Sequence, residues 1–265
     1  MTRKLVVAAI GGNHVDKAAE LAKQFGEEFT AKRGWILMTG GKPKESESKV
    51  KDAALFGCKK AHGLMVSILP KKKGEPGKVH CKPIIGERRV ELVTDLTNYG
   101  RDPITGAAAD IVVVFDGADG TLVELAYAAL KNRPIVFLSS SISSSRTSLR
   151  DRAQSQSNRE KVIKKLTEAN EAYGSLIPTS EDNLMAALDS CLQDNRFPEV
   201  NSISQAITQI NQLSQHIKLY GDTHFRGMPS DAKIKGRFEK LILGLLQMTL
   251  SENRVRSSAC FSNVP

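Results

Sequence analysis

The sequence predicts an α/β protein, a parallel sheet with helices on both faces, plus a C-terminal helical extension. Three observations carry that prediction. Through the first two-thirds of the 265 residues, short and nearly continuous apolar runs alternate with segments of helical periodicity. Buried parallel strands and their crossover helices leave that pattern. Three of the apolar runs end in glycine-bearing turns, "IGGN", "TGG" and "DGADGT". After about Phe197 no strand signal remains and only helical spacing is left.

The elements follow in order. "KLVVAAI" (4–10) is the first strand, and "GGNH" turns the chain, with Asn13 as a helix cap and Asp16 three residues on. Val15, Ala19, Ala22, Phe25 and Phe29 fall on one helical face. "GWILMTGG" (34–41) is a second strand closed by a glycine pair, and a helix from about Ser46 to His62 turns Val50, Ala53, Ala54 and Ala61 inward. "GLMVSILP" is a third strand, "VELVTDL" (90–96) a fourth, and the stretch between, Pro70 to Lys82, reads as a solvated basic loop with five lysines. "DIVVVFD" is the most hydrophobic strand, "TLVELAYAALKN" its helix and "RPIVFLS" the next strand. The Ser-rich stretch at about 139–160 reads as a mobile loop. "EKVIKKLTEANEAYG" is a helix, "SLIPT" a short edge strand and "SEDNLMAALDSCLQ" a helix capped near Ser180, which would end the core domain at residue 195. In 196–265, Ile203, Ile207, Ile210, Leu213, Ile217 and Tyr220 recur at helical spacing, and Phe238 to Met248 forms a second apolar helix. Such helices need a partner surface. A homo-oligomer contact, dimeric or tetrameric, is preferred here over docking on the same chain.

Composition narrows the function. A net charge of +9 favours anionic partners. An aromatic content of 5% argues against a stacking platform for single-stranded nucleic acid. Cys58, Cys81, Cys191 and Cys260 form no CxxC pair, so neither a metal site nor a disulfide framework is suggested. The N-terminus lacks a cleavage-site pattern, and no apolar stretch reaches membrane-spanning length. A reduced, cytoplasmic protein is expected.

In an open parallel sheet, ligands sit beyond the carboxyl ends of the strands, where strand order reverses. Glycine lets the backbone approach a ligand, and the start of the following helix aims free N–H groups at the same place. Gly11, Gly12, Asn13, Thr39, Gly40, Gly41, Gly117, Ala118, Asp119, Gly120 and Thr121 are therefore candidates for holding a phosphate. Tight strand-to-helix turns also need glycine for structural reasons alone, and that reading stands beside the functional one.

The stretch "GRDPITGAAADIVVVFDGADGTLVE" (100–124) resembles the signature of the LOG-like (SLOG) superfamily. That superfamily has a Rossmann-like fold and includes the molybdenum-cofactor carrier proteins and the Lonely Guy-type phosphoribohydrolases, formerly called lysine decarboxylase-like. Gly117, Gly120, Thr121 and Glu124 fall on its G-x-G-T-x-x-E motif, and Arg101 falls on its upstream arginine. "GRD" is more similar to the G-R-N of the carriers than to the E-R-K of the hydrolases. The likeness covers residues 1–140 closely and 141–195 loosely. Asp116 and Ala118 replace a proline or glycine and a glycine of the motif, and "KPKESESK" replaces a compact turn. Asp116, if ionised at the turn, would repel a phosphate unless paired with Arg101 or a lysine.

The resemblance implies binding of a nucleotide or of molybdenum cofactor, with no further cofactor required. In the hydrolytic members a carboxylate stabilises the cation-like sugar and an arginine holds the leaving group. Glu124 and Arg101 would be those residues if the protein is an enzyme. Glu124 is also readable as a first-turn acid on the helix dipole, and Arg101 as half of an ion pair with Asp102 or Asp110. His14, Asn98 and Tyr99 are weaker candidates for contacts with a ligand. Three functions stay open: a nucleotide-binding carrier or sensor, which is preferred; a nucleoside 5′-monophosphate phosphoribohydrolase; and an interaction protein with a vestigial site.

Overall fold

A computed structural model describes residues 4–12, 16–30, 35–43, 49–71, 80–94, 96–97, 100–140, 144–173 and 179–216. The first half builds β1 (Val6–Ile10), α1 (Asp16–Thr30), β2 (Ile36–Thr39), α2 (Val50–Lys60), β3 (Leu64–Leu69), β4 (His80–Ile84) and β5 (Arg89–Val93). The second half builds α3 (Asp102–Ala108), β6 (Ile111–Val114), α4 (Asp119–Leu130), β7 (Ile135–Leu138), α5 (Ser145–Gln154), α6 (Gln156–Tyr173), α7 (Glu181–Gln193), β8 (Glu199–Val200) and α8 (Ile203–His216).

The strands form one sheet in the order β4-β5-β3-β2-β1-β6-β7-β8, parallel except for β4, which runs antiparallel to β5. From β1 the chain first winds outward through β2 and β3, then returns to lay β6 on the other side of β1. The switch point therefore lies between β1 and β6. The sheet is buried on both faces because its central strands are apolar at every position. Val6, Ala8 and Ile10 face a core shared with α3, α4, α5, α6 and α7. Val7 and Ala9 face a core shared with α1, α2 and α8. That is the predicted α/β architecture, two helical layers about a mostly parallel sheet.

Several expectations from the sequence need correction. The basic stretch at Pro70–Lys82 runs into β4, an edge strand whose exposed Cys81 and Lys82 give it no apolar alternation to read. α2 begins at Val50, not near Ser46, and the fourth expected strand ends at Val93. α3 was hidden inside the "GRDPITGAA" signature; Pro103 sits in its first turn, where a missing N–H costs nothing. Much of the Ser-rich stretch at about 139–160 is helix rather than loop. Ser144 caps α5 by accepting from the Thr147 amide, and Leu149 and Ala153 bury its inner face. The core does not end at residue 195, since β8 pairs with β7 and α8 buries Ile203, Ala206, Ile207 and Ile210 on the sheet. The chain itself thus covers that apolar face as far as Leu213, while Ile217 and Tyr220 lie outside the described residues. Asn13, His14, Asn98, Tyr99, the Phe238–Met248 segment and most of "SLIPT" lie outside the described residues. No helix among the described residues is long and apolar enough to cross a membrane.

Candidate ligand site at the switch point

The strand order brings the three glycine turns together, at the carboxyl ends of the neighbouring strands β2, β1 and β6. Backbone hydrogen bonds tie them to one another. The Phe115 amide donates to Ile10 O (2.9 Å), the Gly12 amide to Asp116 O (3.1 Å) and the Val50 amide to Gly12 O (3.2 Å). Thr39 Oγ1 donates to Lys51 O (3.3 Å) and accepts from the Gly41 amide (3.0 Å). Thr39 therefore serves the β2 turn and α2, and its hydroxyl is spoken for within the chain. The turns are close enough that a Cβ on Gly12 would lie 2.8 Å from Gly117 Cα, a contact no side chain could relieve.

α4 starts in this setting without a side-chain cap on Ala118. The Thr121 amide turns back to Ala118 O (2.9 Å) and the Gly117 amide to Asp116 Oδ1 (2.7 Å). This leaves the first-turn amides of Asp119 and Gly120, which have no carbonyl a turn earlier to bond, as the donors at the helix start. Among the described residues Asp116 has neither Arg101 nor a lysine as an ion-pair partner; it serves its own turn and accepts from Ser148 Oγ (2.9 Å) on α5. Ala118 has φ −122°, so its methyl is accommodated without strain, and the residue is exposed. Thr121 is buried under Gly117.

Beneath the turns lies a cluster of charges. Glu124 is 0% exposed, and its Oε1 accepts from Lys51 Nζ at 2.9 Å. The same ammonium stands 4.0 Å from Asp102 Oδ1, which is also buried. Arg101 lies flat under Gly40 and donates from Nη1 to Ile68 O (2.8 Å), with Nε unpartnered. Lys165 on α6 pairs with Asp119 at the α4 start (2.9 Å). Burial pushes the Glu124 carboxyl up to about 7, against the pull of Lys51 and Arg101 and with the push of Asp102. Burial likewise raises Asp102, opposed by Lys51, Arg101 and Lys165. Two carboxyls sharing one ammonium cannot both ionise cheaply in such a place. Glu124 Oε2 and Asp102 Oδ1 both lack a hydrogen-bond partner.

Arg101 and Glu124 thus meet in one cluster, together with Gly11, Gly12, Gly40, Gly41 and the α4 start. Two residues were not foreseen. Lys51 carries no signal in the sequence, since it is one of several lysines around α2 and its partner Glu124 lies 73 positions away. Asp102 is a first-turn acid beside Pro103, a pattern that also fits an ordinary exposed cap. Among the described residues, no group of three or more His, Cys, Asp or Glu is placed to hold a metal ion.

A doubly wound sheet with glycine turns at its switch point is a Rossmann-like α/β architecture. The sequence matches the SLOG cluster4 family over residues 4–172, more than half of the chain, and the protein belongs to that family. Among solved structures, it is similar to the molybdenum cofactor carrier protein of Chlamydomonas reinhardtii, with 20% identity and a TM-score of 0.51 over 80% of this chain and 99% of that one. It is also similar to the molybdenum cofactor binding protein of the phototrophic bacterium Rippkaea orientalis, with 21% identity and a TM-score of 0.51 over 81% of this chain and 99% of that one. At that identity the likeness concerns the fold. No curated protein matches the sequence.

Proposed function

We propose that the protein binds a phosphorylated, nucleotide-like small molecule at the carboxyl edge of β2, β1 and β6, as a carrier or sensor. One observation supports this above the rest: three glycine turns converge there on the start of α4, a helix left without a side-chain cap. A helix start whose first-turn amides have no side-chain cap is suited to a phosphate, although Val50, Arg101 and Thr121 pack closely against the glycines of the turns around it. Molybdenum cofactor is a candidate ligand, since the similar structures carry or bind it by name. Binding is favoured over turnover because Glu124, the residue that would stabilise a sugar cation, is fully buried and held by Lys51.

The test is a panel of phosphate, pyrophosphate, nucleoside phosphates and phosphorylated pterins read by thermal unfolding, beside mass spectrometry of small molecules that co-purify. A ligand present at about a hundredfold excess over its Kd should stabilise the fold by roughly 2.7 kcal/mol. Release of free base from a nucleoside monophosphate, abolished in Glu124→Gln, would replace this reading with the hydrolytic one. A panel in which nothing stabilises the protein would favour a vestigial site.

A further inference from the structure

The Lys51–Glu124 pair blocks what the proposed site needs. Glu124 and Asp102 are sealed from solvent and Arg101 is committed to Gly40 and Ile68, whereas Lys51 and Lys165 reach the surface with 16% and 19% of their side chains exposed. Lys165 is held by Asp119 (2.9 Å), which leaves Lys51 as the exposed cation paired with Glu124. Asp102 lies between the Lys51 ammonium and the α4 start: Asp102 Oδ2 comes within 3.5 Å of where a Cβ on Gly120 would sit, and Asp102 Oδ1 is 4.0 Å from Lys51 Nζ. Glu124, which the ammonium now holds, stands on the same helix four residues after Gly120.

Resting on the anion-site reading above, we propose that Lys51 is the cation this site offers to a ligand's phosphate, exchanging Glu124 for the phosphate oxygen when the ligand binds. A phosphate dianion is the stronger partner, because its charge is larger and its oxygens accept several donors at once. The exchange leaves Glu124 sealed in the interior with no ammonium, where a carboxylate is costly and a carboxylic acid is not. Glu124 then takes one proton from solvent. No other bond forms or breaks. The groups facing Glu124 are Lys51 from α2, Arg101 and Asp102 at the start of α3, and its own helix. Arg101 stays on Ile68 O throughout, and among the described residues Lys51 is the ammonium within ion-pair distance of Glu124. Because burial already holds the Glu124 acid near neutrality, the uptake falls in an accessible pH range.

Sulfate is the probe, since it stands in for a phosphate dianion and does not itself titrate near neutrality. Its Kd, read by thermal shift or calorimetry on the full chain, should be roughly fivefold tighter at about pH 6 than at about pH 8. Glu124→Gln should abolish that pH dependence and, at the higher pH, bind sulfate more tightly than the wild type, because the amide competes less for Lys51. Lys51→Met should weaken sulfate about tenfold, the effect of one lost charge-assisted hydrogen bond. A Kd independent of pH, or weaker binding in Glu124→Gln, overturns the exchange while leaving the anion site standing. A pH dependence that survives Glu124→Gln and disappears in Asp102→Asn overturns the assignment to Glu124. Failure of the wild type to bind sulfate or pyrophosphate at any pH removes the anion site and this inference together.

Discussion

Two helices begin at neighbouring strand ends of this sheet, and the chain treats them in opposite ways. α5 follows β7, and its start is filled from within. Ser144 caps the Thr147 amide, Glu199 Oε1 accepts from Ser139 Oγ (2.5 Å), Ser144 Oγ (2.7 Å) and the Arg146 amide (3.3 Å), and the Arg146 guanidinium stacks on Phe137 while bonding Asp194 O and Phe197 O. Burial raises the Glu199 carboxyl, but those donors outweigh it and hold the group below its ordinary range. α4 follows β6, and its start has no side-chain cap, three glycine turns around it and two buried carboxyl oxygens without partners. A helix start closed by the chain's own carboxylate is a structural joint. One left open, at the place where the strand order reverses, is where a foreign anion fits. The β7–α5 connection, residues 139–144, contains no glycine, and the distribution of satisfied donors separates the two helix starts in the same sense.

The comparison can be broken at several points, with effects of decreasing size. Gly12→Val forces a side chain into the Gly117 backbone, and about 3 kcal/mol of stability should be lost in urea unfolding, together with ligand binding. An unchanged unfolding midpoint would mean that the turns are not tightly apposed. Next comes pH. The Glu124 carboxyl is raised in the folded protein from 4.5 to about 7, so the folded state holds its proton longer than the unfolded chain does. Its contribution to stability is complete below about pH 4.5 and is lost as pH rises to about 7, on the order of 3 kcal/mol in all. Glu124→Gln should therefore flatten the stability profile across that window, measured as unfolding free energy against pH. A parallel profile in the variant would show that Glu124 is not the group responsible.

At the α5 joint the expected effects are smaller and carry a different signature. Glu199→Ala removes the acceptor shared by Ser139, Ser144 and the Arg146 amide, and should cost about 2 kcal/mol with no change in anion affinity. Weakened anion binding in that variant would erase the distinction between the two helix starts. Ser148→Ala loses one bond to Asp116, and a shift of about 0.5–1 kcal/mol in unfolding free energy is expected.

Legibility in the sequence follows the same division. The strands β1, β2, β3, β6 and β7 were readable because burial on both faces demands unbroken apolar runs, which "KLVVAAI" and "DIVVVFD" display. β4 was not, because an edge strand with exposed residues obeys no such rule. α5 was obscured because Ser, Arg and Gln dominate its composition, while its docking depends on Leu149 and Ala153 alone and on partners 50 residues away such as Glu199. In the segment after 196, Ile203, Ile207 and Ile210 of α8 pack on the sheet of the same chain. An amphipathic face shows that a partner surface exists but not whose it is, and here the same chain supplies it. At the site, the glycine turns, Arg101 and Glu124 were visible as a motif. Lys51 was not, since only the meeting of β2's turn with α4 shows that its ammonium lands on Glu124 across 73 positions of sequence.

The most direct measurement is a pyrophosphate titration followed at individual backbone amides by nuclear magnetic resonance. Saturable shifts are expected at the amides of Asp119 and Gly120, with the amides of Arg146 and Thr147 at the start of α5, held by Glu199 and Ser144, unmoved. Shifts confined to α5 or to surface lysines, or no saturable shifts at all, would contradict it.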